Sequence, residues 1–175
     1  MEGCCPNRET PLAARKDVLL AAWLTRTLET YPVASRDFLT RERDSFRNPV
    51  GHTLKEGLAS LLEGLLGARE TAELVPVLEP MVRLRAVQDF SPGQALSFLF
   101  LLKDVAREEA ARLGESAMAE TERLEKRIDL LGLAAFDLYM KCREEILMIQ
   151  VNAAKRSMFV ELRRAKGSGR MRDEA

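Results

Sequence analysis

No proline interrupts the chain from Ala117 to Ala165, and Leu, Ala, Glu, Lys and Arg dominate that segment, which favours helix. An unbroken helix over this span is about 70 Å long at ~1.5 Å per residue. A compact domain of this size has a radius of gyration of only about 16 Å. The segment therefore either breaks, with Gly132 the expected place, or reaches beyond the body formed by the rest of the chain. Leu124, Ile128, Leu131, Ala135, Leu138 and Cys142 hold a heptad-like seam. The seam then drifts to Ile146, Ile149, Ala153 and Val160, as a 3.6-residue helix must. Phe136, Tyr139, Met140, Leu147, Met148, Val151, Met158 and Phe159 add apolar surface on other faces. One domain surface cannot cover all these directions, so a second subunit is the expected cover. Ile146, Ile149, Ala153 and Val160 are the candidate dimer interface.

Upstream, Ser91-Pro92-Gly93-Gln94 reads as a capping box with proline at the first helical position. The helix it opens, expected over 92–113, begins Ala95-Leu-Ser-Phe-Leu-Phe-Leu-Leu102 and is apolar all round, the pattern of a helix buried on most sides. It is too short to cross a bilayer, which takes about 20 apolar residues. Gly114 is the expected stop. Phe98 and Phe100, with Leu62 from an earlier helix, are candidates to line an apolar ligand pocket; core packing is the competing role.

The earlier chain reads as a series of shorter helices. Residues 1–10 lack periodicity and are expected to form a disordered leader. From Pro11 to about residue 30, Val18, Leu19, Ala22, Trp23 and Leu28 mark one apolar face, and Tyr31-Pro32 ends it. A short helix is expected over 36–46, capped by Ser35. Asn48-Pro49 and Gly51 then read as a turn, and Thr53-Leu54-Lys55-Glu56 as a second capping box. Leu54, Leu58, Leu61, Leu62 and Leu65 follow at helical spacing. Gly57 and Gly64 either leave room for a close neighbour or are weak points of the helix. Thr71 can start the next segment, but Pro76 and Pro80 both fall within it, and Pro80 is accommodated if the helix starts near Pro76. Arg85 and Asp89 are four apart and expected to pair at the surface, with an anion site built on Arg83 or Arg85 as the lesser alternative. Residues 166–175, rich in Gly, Ser and charge, are expected to form a disordered tail. The result is an all-α chain: one helical-bundle domain over 11–165 with a long C-terminal helix.

Charge and composition narrow the functions. Lys plus Arg and Asp plus Glu both number 27, and the formal net charge is zero, so the chain lacks the basic footprint of nucleic-acid binding. No apolar run is long enough for membrane insertion. No signal-peptide pattern precedes residue 20, and the cytoplasm is the expected compartment. Cys4, Cys5 and Cys142 have no framework spacing for disulfides. The single His52 has no partner set for zinc or for catalysis. No cofactor, metal or catalytic residue is expected.

Three stretches carry a resemblance. Arg83-Leu-Arg-Ala-Val-Gln-Asp-Phe-Ser-Pro-Gly-Gln-Ala-Leu-Ser-Phe-Leu-Phe-Leu-Leu-Lys-Asp104, Phe46-Arg-Asn-Pro-Val-Gly-His-Thr-Leu-Lys-Glu-Gly-Leu58 and Phe136-Asp-Leu-Tyr-Met-Lys-Cys-Arg-Glu-Glu-Ile146 together resemble the RsbRD-type amino-terminal domain. The resemblance implies the sensory half of a stressosome co-antagonist. It also implies a globin-like helical fold that binds no haem and dimerises through helices. In that family a long helix leads to a STAS domain that carries the phosphorylatable residues and meets a switch kinase. Here the sequence ends about ten residues after the helix, so the expectation is a stand-alone sensory or regulatory module without enzymatic activity. It would act as a homodimer on another regulatory protein.

Overall fold

The structure is a computed structural model that describes residues 10–42, 44 and 46–170, with side chains through residue 161 and at residue 163. A 3-10 turn, Ala13–Arg15, precedes α1 (Lys16–Glu29), α2 (Val33–Arg41), α3 (Pro49–Leu66), α4 (Thr71–Val87), α5 (Pro92–Leu113) and α6 (Glu115–Arg170). No strand occurs among the described residues, so the fold is all-α. Tertiary contacts divide the chain into two units, the first ending at Tyr139 and the second beginning at Met140. The expected leader, including Cys4 and Cys5, lies outside the described residues apart from Thr10. So do the last five residues of the expected tail.

Within the first unit, α1 rests on α3 and α5, α3 on α4, and α4 on α5. The reason is the apolar stripes. Leu54, Leu58, Leu61, Leu62 and Leu65 of α3 are all buried, and each leucine removed from water is worth about 1.5–3 kcal/mol. Leu74, Leu78, Met81 and Val82 of α4 face them, also buried. The glycines set how close these helices come. A Cβ on Gly57 would stand 2.6 Å from Met81 Sδ, and one on Gly64 would collide with Leu74 Cδ2. Leu96, Phe98, Leu99 and Leu102 of α5 are buried as well. Trp23 fills the centre of the core; its indole N–H donates to the Phe98 carbonyl at 2.6 Å, and its ring stacks on Phe98 at 6.5 Å. The amide-like donor that burial would have stranded is thus satisfied.

α5 follows the sequence residue for residue. Ser91 Oγ accepts from the Gln94 amide, Gln94 Oε1 accepts from the Ser91 amide, and Pro92 sits at the first helical position. At the other end Gly114 adopts φ +97°, a conformation that costs glycine little and other residues much.

Three helix starts differ from expectation. α2 begins at Val33 after Pro32, and Ser35 lies inside it. α3 begins at Pro49, not Thr53: Asn48 Oδ1 accepts from the Gly51 amide at 2.9 Å and Pro49 occupies the first position. Asn48 is buried, and its Nδ2 donates to the carbonyls of Leu39 and Glu42. One side chain therefore caps α3 and closes the loop after α2, which is more than Thr53 could do. α4 begins at Thr71, with Pro76 and Pro80 inside it. Both prolines are exposed, so the carbonyls of Ala72 and Pro76, which lose their amide partners, lie on a face that water reaches.

α6 does not break at Gly132. Instead Gly132 is buried against the Phe100 ring, whose Cζ would stand 2.8 Å from an added Cβ. The glycine that reads as a weak point is a seat for an aromatic side chain. Leu124, Ile128, Leu131, Ala135 and Tyr139 are buried within the first unit. The pairs Lys103–Asp129 (2.6 Å) and Arg107–Glu125 (2.5 Å) join α5 to α6 along the edge of this contact. Arg127 donates to the carbonyls of Leu65, Gly64 and Arg69, meeting the open C-terminal end of α3 with a cation. Glu120 receives Thr10 Oγ1 and the Leu12 amide (3.0 Å). Glu109, whose side chain is nearly closed from solvent, is held by Arg15 at 2.7 Å and Arg112 at 3.1 Å. Those hydrogen bonds, Arg15 first, hold its carboxyl below the ordinary carboxylate range. Two carboxylates thus fasten the N-terminal strap to α5 and α6. Beyond Tyr139 the helix continues to Arg170, past the end expected near Ala165.

Candidate functional site

The described part of the second unit is a single helical segment, and every described side chain from Leu147 to Glu161 is exposed. Ile149 is 69% exposed and Val160 50%, Ala153 is exposed, and Ile146 is half-buried. At ~100° per residue these four positions fall within about 60° of arc, one stripe along the helix. Leu147, Val151 and Met158 form a second stripe and Met148 and Phe159 a third, all exposed. Helix propensity explains why the segment is helical. It does not explain three rows of large apolar groups facing water.

The first unit carries an apolar groove of about 460 Å³ between α5 and α6. Leu96, Phe100, Leu133 and Phe136 line it, Gly132 forms its floor, and Asp129 lies at its edge. Leu130 is exposed next to it and Leu133 is 68% exposed. The Lys103 ammonium lies 5.7 Å from the Phe100 ring centre. Sequence reading passed over Leu130 and Leu133, although Leu130-Leu133-Phe136 has the three-residue spacing of a helix face. The residues Leu62, Phe98 and Phe100 do not line one cavity. Leu62 and Phe98 are fully buried in the core, whereas Phe100 is 43% exposed in this groove. Phe98 and Phe100 are two residues apart, so a helix sends them to nearly opposite sides.

A third site is one that the sequence offers only as the lesser alternative to a surface ion pair. Arg85 is fully buried, and no carboxylate pairs with it among the described residues; the surface pair with Asp89 does not form. Its guanidinium lies 4.9 Å from the Tyr31 ring centre, 5.1 Å from Phe90 and 5.2 Å from Phe98. It donates to Gln94 O at 3.0 Å and Thr30 Oγ1 at 2.8 Å, and more weakly to Thr27 O at 3.5 Å. The Thr27 and Thr30 contacts lie at the C-terminal end of α1, where the helix dipole favours a cation. Burial nevertheless pushes the Arg85 pKa down and the Tyr31 hydroxyl up. Arg85 Nε, Tyr31 OH and Thr27 Oγ1 are buried and lack hydrogen-bond partners. The signal was hidden because an arginine four residues before an aspartate ordinarily reads as a surface ion pair.

His52 is exposed on α3 and meets Glu56 one turn on, at 3.2 Å, a pairing within one helix. Cys142 is buried. Among the described residues, no three or more His, Cys, Asp or Glu side chains gather as a metal site would need, and no helix is long and apolar enough to cross a membrane. The geometry offers surfaces for association and one buried cation.

The model of the family described as "RsbT co-antagonist protein rsbRD N-terminal domain" matches residues 17–154, more than three quarters of the chain. No curated protein and no solved structure matches it.

Proposed function

We propose, given that the chain belongs to the family of RsbT co-antagonist protein rsbRD N-terminal domains, that it is a non-enzymatic cytoplasmic regulatory module. It works as a homodimer joined through the terminal part of α6. The family supplies the sensory and stressosome-related context. The observation that carries the dimer is the stripe of Ile146, Ile149, Ala153 and Val160, half-buried at Ile146 and open to water at the other three. Soluble monomers rarely leave large apolar patches uncovered. A two-fold pair of such helices covers the same stripe on both copies with one contact. The globin-like arrangement that the resemblance implies belongs to the same proposal, as does a second regulatory protein as the downstream partner. In this reading the folded unit responds to a signal, and the paired helices carry the change to that partner.

Ile149→Glu tests the interface. It places a charge in the middle of the stripe, where it would be buried and unpaired between two helices. Size-exclusion chromatography with light scattering should find the unsubstituted chain at about twice 19.7 kDa and the variant at 19.7 kDa. A variant that keeps the doubled mass would remove this interface from consideration.

The competing reading, a sensor of small apolar ligands, is favoured by one observation, the groove containing Phe100. That groove is wide open to solvent, and Leu62 and Phe98 are not part of it.

A further inference from the structure

We infer that Arg85 is the anchor of a binding site for a small monocarboxylate with a flat apolar body, reached through the cleft between the end of α1 and the α4–α5 turn. Three facts converge on it. The first is charge: a guanidinium with no carboxylate partner in a dry, aromatic setting is costly to bury. Backbone carbonyls and one hydroxyl offset only part of that cost, and an anion would offset much more. The second is valence. Arg85 Nε, Tyr31 OH and Thr27 Oγ1 all lack partners while fully or almost fully buried. Arg85 Nε can only donate, and the two hydroxyls can donate as well as accept, so an added acceptor would suit all three. Carboxylate oxygens supply acceptors and charge together.

The third is access. A cleft of about 380 Å³ opens to solvent here, and Thr30, Tyr31, Phe90 and Gln94 line it. Those same four residues contact the guanidinium. The cleft therefore stops one layer of side chains short of the charge. Tyr31 and Phe90, edge-to-face at 5.3 Å, form that layer. A rotamer change of either ring is a small event compared with opening a core. The aromatic walls select a flat apolar body. Asp89 at the cleft rim disfavours multiply charged anions such as phosphate.

The site also has a route outward within the first unit. Tyr139 OH of α6 donates to the Phe90 carbonyl at 2.6 Å. The residue whose ring shields Arg85 is thus held through its backbone by the last residue of that unit. Moving Phe90 to admit a carboxylate would disturb that bond. Asp89, immediately before it, has φ +58°, a left-handed conformation uncommon outside glycine. The role of the site as signal input rests on the regulatory reading above; the binding itself does not.

Benzoate is the probe. The intact chain is titrated with sodium benzoate at constant ionic strength, reading the fluorescence of Trp23, the chain's one tryptophan, which stacks on the Phe98 ring that Arg85 also touches. Thermal unfolding is read in parallel. The expected result is a saturable fluorescence change with a rise in midpoint, and at least tenfold weaker binding of phosphate. Arg85→Met, which keeps the aliphatic packing, should weaken benzoate at least 100-fold. Tyr31→Phe removes only the hydroxyl and should weaken it about fivefold to tenfold, so the test survives if Arg85→Met fails to fold. No saturable change, or equal affinity in Tyr31→Phe and the unsubstituted chain, would overturn the site. Benzoate binding by a 19.7 kDa species would leave the site standing and sink the dimeric module instead.

Discussion

Trp23→Ala should lower the stability of the fold by about 3–5 kcal/mol, with a fall in melting temperature of roughly 10 °C or more. The magnitude follows from what the side chain does. Trp23 is fully buried between α1 and α5, stacks on Phe98, and donates its indole N–H to the Phe98 carbonyl at 2.6 Å. Alanine leaves a cavity the size of two fused rings, in a core already fixed by close α3–α4 contact at Gly57 and Gly64. The carbonyl retains an acceptor role within its own helix, so the cost is mainly lost packing. Trp23→Phe should therefore fall between the two, at about 1–2 kcal/mol for the smaller ring and the missing donor. Urea unfolding followed by far-ultraviolet circular dichroism measures both, since the fluorophore is removed. An alanine variant within ~1 kcal/mol of the unsubstituted chain would mean that the core is not organised around this residue.

Ile128→Asp should be the more damaging change, at about 4 kcal/mol or more. Ile128 is fully buried on the face of α6 that the first unit covers, with Leu124, Leu131 and Ala135. An aspartate there either buries an unpaired charge or takes up a proton and still leaves polar atoms without partners. The cheaper outcome is for α6 to leave the body. Loss of the α5–α6 ion pairs at Lys103 and Arg107 would follow. The expected signature is a chain that retains helical dichroism but loses cooperative unfolding and becomes sensitive to proteolysis between α5 and α6. Cooperative unfolding at an unchanged urea midpoint would show that α6 does not hold the first unit together.

The elements most legible in the sequence were those in which several local preferences agree. Ser91, Pro92 and Gln94 each favour the same register, and α5 runs Pro92–Leu113 as the pattern requires. The leucine spacing of α3 likewise identifies its buried face. Helix starts were harder to read where two caps compete. Asn48-Pro49 and Thr53-Glu56 are both acceptable, and the choice falls to Asn48 because its amide also binds Leu39 and Glu42, contacts invisible to local spacing. Pro76 and Pro80 look like barriers until their exposed face is known. Gly132 reads as a break, yet serves to admit Phe100 from another helix.

The buried cation was the least legible feature. Nothing local distinguishes Arg85 from Arg83, which pairs with Glu79 on the surface at 3.3 Å. The difference is set by Tyr31, which comes from just past the end of α1, together with Phe90 and Phe98 from the α4–α5 turn and the start of α5. By contrast, the apolar surplus of the last third of the chain was visible at once, because counting faces on a helix needs no tertiary information. The structure divides that surplus. Leu124, Ile128, Leu131 and Ala135 of the seam are covered within the first unit, and Ile149, Ala153 and Val160 stay open.

Sedimentation equilibrium of the intact chain over a wide concentration range tests most directly whether that open stripe joins two copies. The expected mass is about 39 kDa, twice 19.7 kDa, falling toward the single-chain value only on dilution. A mass of 19.7 kDa at every concentration would contradict it.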